Sequence, residues 1–203
     1  MDNLYKYIAI EGNIGAGKST LAKLLSERTN ARYLPENFED NSFLHSFYED
    51  PKRYAFTLEL AFLEERFRQI KEASMKEGLL VSDYFWEKSL VFGRVNLAGE
   101  ELRLFERIYN VLASQLPVPD LVIYLHRPPE RLLAQINRRG REFEQSIPVE
   151  YLGKVGAGYR DFFASEKRMP VLWLTNDYGP EALLQEVLAL IRKPFSKGLH
   201  LLP

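Results

Sequence analysis

Residues 12 to 19 read Gly12-Asn13-Ile14-Gly15-Ala16-Gly17-Lys18-Ser19, followed by Thr20. This matches G-x-x-x-x-G-K-[ST] at every fixed position. The apolar run Tyr5–Ile10 precedes it and a stretch of helical period follows, which is the strand–loop–helix context of a P-loop. The chemistry explains the residue types. Glycines let consecutive backbone N–H groups turn toward phosphate oxygens, and the following helix N-terminus adds positive potential. Lys18 then reaches the terminal phosphates, and the Ser19 hydroxyl is a candidate Mg²⁺ ligand. Nucleoside triphosphate binding is the first expectation.

The motif also constrains the architecture. Short apolar runs recur at Tyr5–Ile10, Tyr33–Leu34, Leu79–Ser82, Leu121–Leu125 and Val171–Leu174. Longer stretches of helical period lie between them, so the chain reads as an α/β protein: a three-layer fold with a central parallel sheet flanked by helices. Ile8, Ile10, Leu79, Leu80, Val81, Leu121, Val122 and Ile123 should be buried on both faces. Helices are expected over Gly17–Thr29, Arg53–Glu77, Glu100–Leu116, Pro129–Arg138, Pro148–Glu166 and Pro180–Ile191, with Pro148 and Pro180 in first turns. The tail Arg192–Pro203 carries no clear pattern. At 203 residues the chain is expected to form one domain.

Composition narrows the function. Lys+Arg total 27 and Asp+Glu 28, a net charge of -1, so nothing draws the whole chain to nucleic acid. With no cysteine, disulfides, thiolate metal sites and cysteine nucleophiles are excluded. No targeting pattern or membrane-length apolar run is visible, so a cytoplasmic location is expected. The D-x-x-G and N-K-x-D strings of a GTPase do not occur, and the strand Leu79–Ser82 ends in Asp83-Tyr84 rather than Asp-Glu. A small phosphotransferase or a nucleotide-dependent switch remains.

Two acids follow strands, where open α/β sheets place ligands: Glu36 and Asp83. Either can orient an attacking hydroxyl or hold Mg²⁺. On the long helix Phe56, Leu60, Leu63, Phe67 and Ile70 make an apolar stripe. Glu59 and Arg66 fall on or near it, roughly 10 Å apart along one face. An unpaired carboxylate facing a core is costly, so Glu59 should meet a buried partner or line a cavity. Arg138, Arg139 and Arg141 surround Gly140 in the charged segment Arg138–Ser146, which has no apolar period and reads as a mobile loop able to close over phosphates.

Taken together these segments resemble the deoxynucleoside kinases. Gly12–Thr20 is similar to that family's G-N-I-G-x-G-K-S-T. Leu34-Pro35-Glu36 sits where the family carries its catalytic glutamate, here followed by Asn37. Phe47-Tyr48-Glu49-Asp50-Pro51-Lys52-Arg53-Tyr54-Ala55-Phe56-Thr57 resembles its Y-E-x-P-x-R-W/Y-x-F segment. Arg139-Gly140-Arg141, Glu144-Gln145, Ile147-Pro148 and Glu150-Tyr151-Leu152 resemble its lid and the helix after it. The resemblance implies transfer of the ATP γ-phosphoryl to a deoxynucleoside 5′-hydroxyl, with Mg²⁺, in a homodimer. It implies Glu36 as the base, Tyr48 and Glu144 on the sugar 3′-hydroxyl, and Arg139 and Arg141 on the transferring group. It places Asp177 near the donor adenine, Phe62 in the base pocket, and Asp83 with Ser19 near Mg²⁺.

Two departures from the family pattern carry content. The family's acid-arginine-serine triplet reads Asp83-Tyr84-Phe85, so the arginine is missing and Lys88 or another cation is the candidate substitute; Lys88 and Arg66 are both expected on the substrate side. The family's base-pairing glutamine aligns with Glu59. A glutamine offers a donor and an acceptor, whereas an ionised glutamate only accepts. That tilts the expectation toward a purine, guanine above all. The alternatives are a thymidylate-like monophosphate kinase and a non-catalytic nucleotide-binding switch.

Overall fold

Alternation along the strands distributes side chains between two apolar layers. The computed structural model describes residues 4–38, 41–175 and 179–202. Six strands form one parallel sheet: β1 (Tyr7–Gly12), β2 (Arg32–Leu34), β3 (Leu80–Ser82), β4 (Leu121–His126), β5 (Pro170–Thr175) and β6 (Gly198–Leu202), in the order β2-β3-β1-β4-β5-β6. Ile8, Ile10, Leu121, Ile123, Leu125, Leu172 and Leu174 face one layer. Tyr7, Ala9, Val122, Tyr124, Val171 and Trp173 face the other. The eight residues expected to be buried on both faces are all buried.

The helices are α1 (Lys18–Thr29), α2 (Leu44–Glu49), α3 (Pro51–Ser74), α4 (Lys88–Asn96), α5 (Gly99–Ala113), α6 (Pro129–Arg139), α7 (Val149–Ser165) and α8 (Pro180–Leu190). On one face α1 contributes Leu21 and Leu25, and α8 contributes Leu183, Leu184 and Val187. On the other, α7 contributes Val155, Tyr159 and Phe163, and α4 contributes Val91. A third apolar cluster joins α2, α3, α4 and α5 through Phe47, Leu58, Leu63, Tyr84, Trp86, Leu90 and Phe105.

Several expectations need correction. Helix α3 starts at Pro51 rather than Arg53, because the Asp50 side chain accepts the Arg53 N–H and Pro51 fits the first turn. Its buried face runs through Ala55, Leu58, Glu59, Phe62, Leu63, Arg66, Gln69, Ile70 and Ala73. Phe56, Leu60 and Phe67 only flank that face, while Glu59 and Arg66, expected on or near the stripe, lie within it. Pro148 is the cap before α7, not its first residue. Segment 138–146 is not a loop throughout: α6 runs through Arg139, Gly140 caps it with φ +74°, and Glu142–Glu144 form a 3-10 turn. The patternless tail supplies β6, paired with β5 from Pro170↔Gly198 to Leu174↔Leu202.

The order reverses at β1. The chain moves from β1 toward β3 and β2 on one side, and toward β4, β5 and β6 on the other. A crevice opens outside the carboxyl ends of strands at such a switch point. Gly12 ends β1 there, so the P-loop sits at its mouth.

Candidate active site

Residues far apart in the sequence converge on one cavity of about 280 Å³ above the sheet. Ile14, Gly15, Lys18, Ser19 and Thr20 supply its P-loop wall. Glu36, Tyr48, Glu59, Phe62, Arg66, Lys88, Arg139, Arg141 and Glu144 line the remainder. Every substrate-side residue expected from the sequence is therefore brought together. Sequence reasoning missed Phe38, Leu44, Phe47, Leu58, Phe92, Asn96, Phe143 and Tyr151, which supply most of the apolar walls. Leu44 and Phe47 belong to α2, and Phe92 and Asn96 to α4, two short helices not read from the sequence.

The P-loop is held by its own backbone and by neighbours. The Ala16 N–H donates to the Asn13 carbonyl at 3.1 Å, and Lys18 Nζ donates to the same oxygen at 3.0 Å. Asn13 is 3% exposed. Its side chain donates to the Leu152 carbonyl on α7 at 2.7 Å and accepts the Ile14 N–H at 2.8 Å. Burial and the neighbouring Lys88 charge lower the Lys18 ammonium to about 8. Beneath the loop lies Glu11, fully buried. One of its oxygens accepts the Gly12 N–H at 2.8 Å and the other accepts the Phe85 N–H at 2.9 Å.

Glu36 is the most strongly paired acid. Its Oε1 accepts from Arg66 Nη2 at 2.7 Å and from Arg66 Nε at 3.0 Å. Its Oε2 accepts from Lys88 Nζ. Arg66 Nη1 donates onward to Ser89 Oγ at 2.9 Å. Burial alone would raise the Glu36 carboxyl, but the charges of Lys88, Arg66 and Lys18 outweigh it and hold the group at about 2. The carboxylate is thus ionised across the neutral range. Lys88 and Arg66 both stand beside Glu36, one on each carboxyl oxygen. The Tyr84 and Phe85 side chains of the altered triplet are fully buried, with Tyr84 donating to Gln69 at 2.8 Å.

Helix α4 presents Lys88 and Ser89 because its start is pinned from below. Glu87 Oε1 accepts from Arg168 Nη2 at 2.6 Å, and the same nitrogen donates to Glu166 Oε2 at 2.6 Å. Burial nonetheless lifts the Glu87 carboxyl to about 7, since its second oxygen is buried without a partner.

Asp83 lies in a polar junction. Its Oδ1 accepts the Glu36 N–H at 2.6 Å and its Oδ2 accepts from Tyr33 Oη at 2.9 Å. The Tyr33 hydroxyl thus holds one oxygen of Asp83, a candidate Mg²⁺ ligand. Sequence reasoning missed this tyrosine, which reads only as a strand residue. The Ser19 hydroxyl and the Asp83 carboxylate are hard oxygen donors with spare lone pairs, and they fit Mg²⁺ bound mainly through nucleotide phosphates. Among the described residues no group of three His, Cys, Asp or Glu side chains is positioned to hold a metal alone.

Above the cavity Glu144 gathers the arginines. Its Oε2 accepts from Arg139 Nε at 3.1 Å, and Arg141 Nη1 lies 3.6 Å from Oε1. The Arg141 guanidinium also covers the Phe38 ring at 4.5 Å, and Phe143 stacks on Tyr48 at 6.1 Å. Across the P-loop, a second and more open cavity of about 800 Å³ is lined by Gly15, Gly17, Thr20, Arg127, Arg131, Arg138, Gly179 and Pro180. Arg127 and Arg131 were missed in the sequence because nothing in their spacing marks them. Asp177 lies outside the described residues, two positions before Gly179.

No helix among the described residues is long and apolar enough to cross a membrane. The deoxynucleoside kinase family model matches residues 8–187. The chain is 37% identical over 161 residues to the deoxyguanosine kinase of Bacillus subtilis, covering 77% of this chain and 78% of that one. It is 34% identical over 194 residues to the deoxyadenosine kinase of Dictyostelium discoideum, covering 90% and 78%. The solved deoxyadenosine kinase of M. mycoides superposes with a TM-score of 0.83 at 24% identity, over 92% of this chain and 98% of that one, which bears on the fold. Motif, fold and relatives agree: the chain belongs to the deoxynucleoside kinase family.

Proposed function

We propose that this chain transfers the γ-phosphoryl of ATP to the 5′-hydroxyl of a purine deoxynucleoside, with guanine favoured. The observation that carries the reading is the Glu36 carboxylate, kept ionised by Arg66 and Lys88 in the cavity that the P-loop lysine also enters. Triphosphate lies along the P-loop, with its base toward the arginine-lined cavity between α6 and α8. The deoxynucleoside lies in the first cavity, its sugar between Tyr48 and Glu144 and its base near Phe62 and Glu59. Arg139 and Arg141 form a lid over the transferring group, and their fork geometry suits its equatorial oxygens. Ser19 and Asp83 would hold Mg²⁺ brought in with ATP, which would supply charge neutralisation on the phosphates.

A carboxyl at about 2 is a weak base. Phosphoryl transfer tolerates this, because its loose transition state asks little of the nucleophile's proton until the new P–O bond is forming. Glu36 therefore acts first by accepting the hydroxyl hydrogen bond and aiming the oxygen. It takes the proton as the oxygen–phosphorus bond forms and the γ-phosphorus–oxygen bond to ADP breaks. Positioning and charge supply most of the rate.

The base preference rests on Glu59. An ionised carboxylate accepts two donors, which matches guanine N1–H and its 2-amino group. Thymine would bring carbonyl oxygens against it.

The test is phosphotransfer from ATP to deoxyguanosine, deoxyadenosine, deoxycytidine, thymidine and thymidine monophosphate. Glu36→Gln should lower kcat by about 10²–10⁴-fold with ATP affinity retained. Substantial residual turnover would refute the role of Glu36. Phosphorylation of the monophosphate alone would move the chain to a different acceptor class.

A further inference from the structure

We propose that Asn96 and Glu59 make base selection depend on pH: Asn96 fixes one carboxyl oxygen, and a proton on the other switches the pocket from guanine to adenine. This rests on the kinase reading above.

Glu59 lies in the middle of the buried face of α3 and is 2% exposed. Its Oε1 accepts from Asn96 Nδ2 at 2.7 Å. Its Oε2 is buried and has no hydrogen-bond partner. Both residues line the acceptor cavity. Asn96 closes α4, and Tyr151 of α7 lines the same cavity. Because the Asn96 N–H₂ faces Oε1, a proton on that oxygen would meet another donor, so Oε1 stays the accepting oxygen. Any proton then goes to Oε2.

The surroundings favour that proton at mildly acidic pH. Burial is the largest effect and lifts Glu59 to about 7. The Asn96 bond, Arg66 on α3 and Lys88 on α4 oppose it, and Glu36 beyond β2 adds to it. Arg66 and Lys88 both make their short contacts with Glu36 instead. Tyr48 on α2 and Tyr151 on α7 stay neutral, each raised by burial. A buried carboxylate oxygen without a donor is costly, so either a ligand N–H or a proton is drawn to Oε2.

The two forms read different bases. Ionised Glu59 only accepts, which suits the adjacent N–H groups of guanine. Protonated Glu59 offers an O–H beside an accepting oxygen, which suits adenine N1 beside its 6-amino group. Neither base titrates near neutrality, so the change belongs to the protein.

The experiment measures kcat/KM for deoxyguanosine and deoxyadenosine across roughly pH 5.5 to 8.5 and takes their ratio at each pH. The ratio cancels pH effects on Glu36, Lys18 and ATP, which both substrates share. The expected ratio rises about tenfold or more toward guanine with increasing pH. Glu59→Gln, which cannot titrate, should flatten it. Asn96→Ala removes a hydrogen bond to the charged form, so its midpoint should move to higher pH. A purely structural role for Asn96 would lower both substrates equally and leave the midpoint in place. A flat wild-type ratio with good nucleoside turnover overturns this inference and leaves the kinase reading standing. A slope that persists in Glu59→Gln also overturns it. Absence of any nucleoside turnover overturns both.

Discussion

Replacing Lys88 by methionine isolates one side of the clamp around Glu36. Lys88 is 7% exposed and the Glu36 side chain 10%, so neither partner is relieved by water. Removing one member of a buried pair costs about 3–5 kcal/mol, because the other charge stays buried. Arg66 still donates to Glu36 at 2.7 and 3.0 Å, which argues for the lower end, ~3 kcal/mol. The sign with pH comes from Glu36. Its folded value of about 2 lies below the ordinary 4.5, so its stabilisation is complete above the ordinary value and is lost as pH falls toward the folded one. Without Lys88 the folded value rises toward the ordinary one, and Glu36 escapes its penalty by taking a proton. The deficit in unfolding free energy should therefore be ~3 kcal/mol near pH 7 and clearly smaller near pH 4. Urea unfolding at the two pH values measures it. Lys88→Arg should recover part of the deficit. A methionine variant as stable as its parent at neutral pH, or equally destabilised at both pH values, would refute the reasoning.

Two further outcomes are expected. Gly15 has φ +81°, and a Cβ there would lie 2.9 Å from the Leu132 carbonyl oxygen and 3.1 Å from Ile136 Cγ1. Gly15→Ala should cost about 1–2 kcal/mol in backbone strain alone and weaken triphosphate binding at least about tenfold, read by thermal unfolding and by nucleotide titration. Arg168→Met leaves Glu87 and Glu166 without their shared cation. Glu87 sits at about 7, above its unfolded value, so it can take a proton and relieve the loss at acid pH. The melting temperature should fall by about 2–4 °C for each kcal/mol lost, further at pH 8 than at pH 6, and an equal fall at both would count against this account.

Much of the fold was legible because buried parallel strands announce themselves as apolar runs, and the P-loop dictates a helix directly after the first of them. The parts that were not legible share a physical cause. Helix α4 is covered by α3, α5 and α7, so Ser89, Leu90, Val91 and Gly93 are all buried and no amphipathic period remains. Strand β6 has the opposite difficulty, being half-exposed along most of its length, with Leu201 open to solvent. The site followed the same division. Motif residues could be assigned one by one. Tyr33, Asn96 and Arg131 could not, because each gains its place from an element across the cavity rather than from its neighbours in the chain.

The buried Glu11 carboxylate has a mechanical consequence. One rigid side-chain group grips Gly12 at the root of the P-loop and Phe85 just after Asp83. The donor cradle and the strand end that anchors Glu36 therefore behave as a single plate with little play. The arginine turn after α6 and the short helix α2 stand outside that link, since neither is bonded to the Glu11 carboxylate.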